Sequence, residues 1–180
     1  MRYNLWIVAL ATTSIFVSGK SAWAEFDSRR LFSRGSWYVD LARDTDDNSY
    51  WCSAETTNGA RQSFSITAFD NRNAMLMIFD PTWNITARSV NFIVDVDYER
   101  WNISGHAEDK SVSVFLEGKG KASSFLEDLA RGSAIAVYNE QLVRQASFSL
   151  RGSHDALLVL LKCWARIVSN DPFSRSADPF

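Results

Sequence analysis

The chain has 180 residues, 46% of them hydrophobic, with seven Trp and twelve Phe. That is the length of one ordinary domain, with enough apolar material for a full core. Its 19 basic and 21 acidic side chains give a net charge of −2 and contain no basic run, which argues against nucleic acid or an anionic membrane surface as partner.

Residues 1–24 carry Arg2, an apolar run from Leu5 to Ala11 that resumes at Ile15-Phe16-Val17, and then Ala22-Trp23-Ala24. A positive start, an apolar middle and small residues at the third-last and last positions are the layout of a secretory signal peptide, with cleavage expected between Ala24 and Glu25. Removal takes Arg2 and Lys20 and no acidic side chain, leaving −4. No later apolar stretch reaches about 18 residues, so no membrane span is expected after the signal. No Cys follows the cut, which speaks against a lipoprotein. The expected organisation is a signal peptide at 1–24, one domain at 25–172 and a loose tail at 173–180, in a periplasmic or secreted protein.

Residues 25–35 mix polar and charged side chains and read as a loose leading segment. Trp37 to Ala42 reads as a first strand, Arg43 to Asn48 as a turn, Tyr50 to Ala54 as a second strand, and Asn58-Gly59 as a turn signal. Ser63 to Ala68 alternates with period two, as a strand with one buried face does. Asp70 to Asn73 turns the chain. Ala74 to Phe79 is continuously apolar and predicts a strand covered on both faces, ended by Asp80-Pro81. Val90, Phe92, Val94, Val96 and Tyr98 share one face of a long strand. Trp101 to His106 and Val112 to Leu116 are shorter strands, with Asp109-Lys110 turning between them.

The period then changes. Ser124 and Glu127 form a capping-box pattern for a helix over Ser124–Arg131, and Gly132 suits its end. Gly118-Lys119-Gly120-Lys121 reads as a flexible turn, since the spacing of a phosphate-binding loop is missing. Ala134 to Tyr138 and Ala146 to Leu150 resume as strands. Ser153 as N-cap and Asp155 in the first turn open the clearest helix, whose apolar stripe runs through Val168. Asn170-Asp171-Pro172 would stop it. Many strands with two late helices predict an α+β fold: an antiparallel β-rich domain, sandwich- or barrel-like, with two helices in the C-terminal half.

Cys52 and Cys163 are the only cysteines. An even count in an exported chain points to a disulfide, here joining the second strand to the buried side of the last helix. Neither belongs to a CxxC pair or has a neighbouring His. The competing readings are two buried free thiols or a nucleophilic or metal-binding thiol.

Residues that carry chemistry are sparse. His106 and His154 are far apart in sequence, and no convergent metal-ligand set is visible. Asp44 to Asn48 is rich in oxygen ligands, and Glu55 is twelfth from Asp44. The sixth place of that loop holds Ser49 where an EF-hand needs Gly, and Trp51-Cys52 reads as strand, so a solvated turn is expected. Asp95, Asp97 and Glu99 alternate on the polar face of a strand, without an identified acid–base partner. No Gly-x-Ser-x-Gly elbow occurs. Asn84-Ile85-Thr86 and Asn102-Ile103-Ser104 fit the N-glycosylation pattern, which matters only in a host that glycosylates.

Phe148-Ser149-Leu150-Arg151-Gly152-Ser153, followed by Ala156-Leu157, Leu160-Leu161 and Cys163-Trp164, with Cys52 upstream, resembles a loose class of small exported proteobacterial proteins. In these a last strand runs through Gly into a last helix bearing a Cys. The resemblance implies an exported, β-rich bacterial protein of unknown function and assigns no catalytic residue. The reading as a whole is of an exported binding protein that acts on a protein or cell-envelope component, with no cofactor or metal and no catalytic residue assigned. The alternatives are a small envelope hydrolase using carboxylates and His106 or His154, or an inhibitor or immunity protein of a partner enzyme. An exposed cluster of Trp and Tyr, with Trp83 the foremost candidate, would favour binding. A cleft where a His meets two carboxylates would favour the hydrolase.

Overall fold

A computed structural model describes residues 26–117 and 119–169. The expected signal peptide, its cleavage point at Ala24 and Glu25, the helix stop at Asn170-Asp171-Pro172 and the tail at 173–180 lie outside the described residues. These form ten strands and two helices: β1 (Phe26–Arg34), β2 (Trp37–Asp44), β3 (Tyr50–Thr57), β4 (Ser63–Phe69), β5 (Ala74–Phe79), β6 (Ile85–Val96), β7 (Glu99–Asp109), β8 (Ser111–Phe115), α1 (Lys119–Arg131), β9 (Ala134–Asn139), β10 (Arg144–Ser149) and α2 (Ser153–Ser169). The strands make a single antiparallel sheet in the order β1-β2-β3-β4-β5-β8-β7-β6-β9-β10. The fold is the expected antiparallel β-rich α+β architecture with both helices in the C-terminal half.

One strand was hidden from pattern reading. The supposed loose segment at 25–35 is largely β1, paired with β2 along its length and bulged near Leu31. As an edge strand it faces solvent on most sides, so its sequence lacks the alternation of a half-buried strand. Leu31 and Phe32 alone lean on the core. Arg30 pairs with Asp40 and lies 4.1 Å over the ring of Tyr38.

The core is one cluster between the inner face of the sheet and α2. Trp37, Val39, Leu41, Phe64, Ile66, Leu76 and Ile78 come from the first five strands, and Val94, Ile135 and Phe148 from the far half. The expectations for β4 and β5 are exchanged. β4 is buried on both faces and β5 on alternate residues only. β4 lies between β3 and β5, and its outward Ser63, Ser65 and Thr67 are short enough to be overtopped by neighbours such as Glu55 and Met77. Ser65 Oγ, on a residue 2% exposed, has no hydrogen-bond partner among the described residues.

The far edge of the sheet is closed by side chains. Alternate carbonyls along β10 accept from Gln62 Nε2 (to Gln145, 3.0 Å), Asn58 Nδ2 (to Ser147, 3.1 Å) and Trp37 Nε1 (to Ser149, 3.0 Å). Period-two geometry points these three carbonyls the same way, away from β9. The rolled sheet therefore brings β10 against the β3–β4 turn, and its edge is satisfied without an eleventh strand.

The helices also depart from the sequence reading. α1 starts at Lys119, five residues before Ser124, so Ser124 is not its cap, and the Lys119-Gly120-Lys121 segment is helical. Gly132 follows α1 but has no left-handed backbone. A Cβ there would sit 2.7 Å from Leu150 Cδ1 and Val96 Cγ1, so close packing requires the glycine. In α2 the carbonyl of Gly152 accepts the first helical bond, from Ala156 N–H, which makes Gly152 the capping position. The buried Ser153 hydroxyl instead donates to the Leu129 carbonyl at 2.6 Å and ties the start of α2 to the last turns of α1.

Cys52 and Cys163 are disulfide-bonded, with Cα atoms 6.1 Å apart. The bond fixes α2 to β3, within the core.

Candidate functional site

The run Leu157-Leu158-Val159-Leu160-Leu161 makes α2 apolar all round. With 3.6 residues per turn, Leu157 and Leu160 face the core, so Leu158 and Leu161 are turned away from it. They remain 44% and 45% exposed. α1 packs beside α2 and presents Ala122, Leu126 and Ala130 to that side. Two apolar cavities result, of about 310 Å³ toward the start of α2 and about 640 Å³ toward its end. Both are lined by Ser123, Leu126 and Leu161, so together they form one groove along the helix pair.

The two ends of the groove differ in charge. Glu127 and His154 line the end near the start of α2. Arg72, in the β4–β5 turn, lines the other. Its backbone is left-handed, with φ of 70°. The carbonyl of Phe69 accepts both Arg72 N–H (3.1 Å) and Trp164 Nε1–H (2.9 Å), which fixes the turn against α2. The Arg72 guanidinium, like those of Arg61, Arg144, Arg151 and Arg166, makes no hydrogen bond or ion pair with a described residue, whereas Arg30, Arg34, Arg100 and Arg131 each pair with a carboxylate.

A second cavity, of about 330 Å³, lies between the β3–β4 turn and β10. It is polar, but its amides are committed: Asn58 and Gln62 hold the β10 carbonyls, and Gln62 Nε2 also donates to Asp80 at 2.6 Å. Asp80 is buried, and Thr82 completes its partners through N–H (2.8 Å) and hydroxyl (2.6 Å). Burial works to raise this carboxyl. The hydrogen bonds from Thr82 and Gln62 outweigh it and hold Asp80 below the ordinary carboxylate range. The cluster braces the turn.

The residues singled out from sequence are dispersed. His106 is exposed on the outer face of β7, 3.8 Å from Glu108. His154 is exposed in the first turn of α2, while Asp155 pairs with Arg34 at 2.5 Å. Asp95 accepts from Tyr98 N–H (2.8 Å) and Arg100 (3.2 Å). Asp97 is not a plain solvated residue of the strand. It lies in the β6–β7 turn and accepts the backbone N–H groups of Ser133 (2.6 Å) and Ala134 (3.0 Å). Tyr98 leaves the strand face expected of it and stands at the hairpin tip, 95% exposed. Asp44 and Asp47 accept from the N–H groups of Asp46 and Ser49, so this loop binds its own backbone. Among the described residues no three His, Cys, Asp or Glu side chains gather as a metal site. Trp83 is half-buried against the core rather than an exposed anchor. Phe26, Tyr98, Phe115, Leu142 and Val143 are exposed as well but do not line the groove; sequence reasoning missed the groove because Leu161 fits the core stripe of α2.

Comparison with known protein families, with curated proteins and with solved structures found no match. Among the described residues no helix is long and apolar enough to cross a membrane.

Proposed function

We propose that the protein is an exported, disulfide-stapled binding protein that takes an apolar partner or ligand into the α1–α2 groove. The observation that carries this reading is the groove itself: a continuous apolar channel with two half-exposed leucines along it. Large exposed apolar patches mark interaction sites, and concave apolar pockets of about 300–1,000 Å³ are the usual form of ligand sites. Export is supported by the residue pattern of positions 1–24 and by the use of both cysteines in a disulfide.

The test uses a fluorescent anionic naphthalene dye that brightens in apolar surroundings. The native, oxidised protein should bind it saturably, and Leu158→Lys with Leu161→Lys should abolish the signal while leaving the far-ultraviolet dichroism and thermal midpoint near native. Undiminished dye binding by a folded double variant would remove the groove from the function. Mass spectrometry of protein recovered from an exporting host should give Glu25 as the first residue, and intact Met1 in that pool would reject export by cleavage.

A further inference from the structure

We infer that the ligand of the α1–α2 groove is a free, single-chain acyl amphiphile with a carboxylate head, its chain along the groove and its head at Arg72. This rests on the reading of the groove as the binding site. The groove follows α2 from His154 to Val168, about 21 Å at the rise of a helix. That is the reach of an extended chain of about 16 carbons.

The larger of the two cavities in this channel holds about 640 Å³. An unbranched acyl chain fits within it, between Ala122 on one wall and Ala165 on the other, where short side chains leave room.

Charge sets the polarity. Arg72 is a cation without a described partner, and its turn is fixed against Trp164 through the shared Phe69 carbonyl. The opposite end holds Glu127, itself in contact with Arg131. Arg72 is the one Lys or Arg among the residues that line the groove, so a carboxylate is favoured at its end. An uncharged chain would gain no such orientation.

The experiment is calorimetric titration of the full oxidised chain with sub-micellar tetradecanoate, dodecanoate and tetradecan-1-ol, and separately with vesicles of anionic phospholipid. Tetradecanoate should bind one to one, and dodecanoate about 15-fold more weakly, since each buried CH₂ contributes about fourfold. Arg72→Asn keeps a residue that tolerates the left-handed turn. It should weaken tetradecanoate about fivefold and leave tetradecan-1-ol unchanged. Leu161→Gln should weaken both. Equal binding of acid and alcohol, indifferent to Arg72→Asn yet lost in Leu161→Gln, overturns the carboxylate assignment and leaves the groove reading intact. Binding to vesicles without binding of free tetradecanoate overturns the proposal of a monomeric ligand. Failure of every acyl probe while the naphthalene dye still binds in the groove overturns the ligand class alone. Failure of dye and probes together overturns the groove reading as well.

Discussion

Replacing Cys52 and Cys163 together by Ala should destabilise the protein by about 2–5 kcal/mol. The bond spans 111 residues, and the loss of loop-closure entropy from the unfolded chain at that length is worth about 5 kcal/mol at most. The structure indicates why the chain would still fold. α2 also buries Leu157, Leu160 and Ile167 against the sheet, and Ser153 remains bonded to Leu129. The substituted sites lose only a sulfur each, Cys52 being flanked in register by Leu41 and Ala68. Since domains are stable by roughly 5–15 kcal/mol, the variant should be folded at room temperature with a reduced margin. Urea unfolding followed by tryptophan fluorescence reads this directly: the midpoint should fall by about 1–3 M. The slope should rise, because an untied unfolded chain exposes more surface. A loss below about 1 kcal/mol with an unchanged slope would refute the argument that the staple acts on the unfolded state. Free thiols on native, air-oxidised protein would refute the bond itself.

Tyr98→Gly should stabilise the fold by about 0.5–1 kcal/mol, seen as a rise of a few degrees in the thermal midpoint. The left-handed backbone at φ 80° costs a non-glycine residue about 1–2 kcal/mol, and the ring is too exposed to lose packing. Asp97→Ala should cost about 1–3 kcal/mol in urea unfolding, because Ser133 and Ala134 lose the acceptor that ties the hairpin tip to the segment after α1. Single Ala substitutions at His106 and Asp95 should leave dye binding in the groove unchanged, as neither side chain lines it. Asp80→Asn should be destabilising at neutral pH, and its deficit relative to the parent should shrink on acidification. The folded carboxyl lies below its unfolded value, so its contribution is whole above about pH 5 and fades as pH falls toward the lowered folded value. A deficit that stays constant from pH 7 to 3 would show that the carboxylate charge contributes nothing.

The strands that pattern reading found are those whose two faces meet different surroundings. In β6, Val90, Phe92, Val94 and Val96 turn inward on successive alternate positions, and water on the other side keeps the signal clean. β1 gave no such signal because, at the edge, it has water on both faces over most of its length. β4 and β5 were exchanged for a related reason. The serines and threonine of β4 look like a solvent face, yet taller neighbours on β3 and β5 bury them, so exposure there depends on the neighbours' side chains rather than on the strand's own sequence. The disulfide needed only two facts that a sequence contains, the cysteine count and an apolar setting for each thiol. Closure of β10 by Trp37, Asn58 and Gln62 was beyond reach, since it depends on how far the sheet rolls.

The groove illustrates a different limit. Leu161 and Leu160 are adjacent and chemically identical, and a stripe wide enough to include one includes the other. The helical phase set by the sheet turns Leu160 to the core and Leu161 away from it, and the outward side becomes a groove through a second wall, which exists because α1 begins at Lys119. A helix starting at Ser124 would not place Ala122 or Ser123 beside Leu161, and the larger cavity would lose one side. Lys119-Gly120-Lys121 reads as turn on local propensity, with glycine costing about 1 kcal/mol in a helix. Its helical state places the cost of a weak first turn where it builds the wall of an otherwise open cavity. A stabilising Gly120→Ala, in a position with nothing within 4 Å of the added Cβ, should therefore firm that wall and tighten dye binding, or at least not weaken it. Weaker binding in a more stable helix would mean that the groove must open at α1 to admit its ligand.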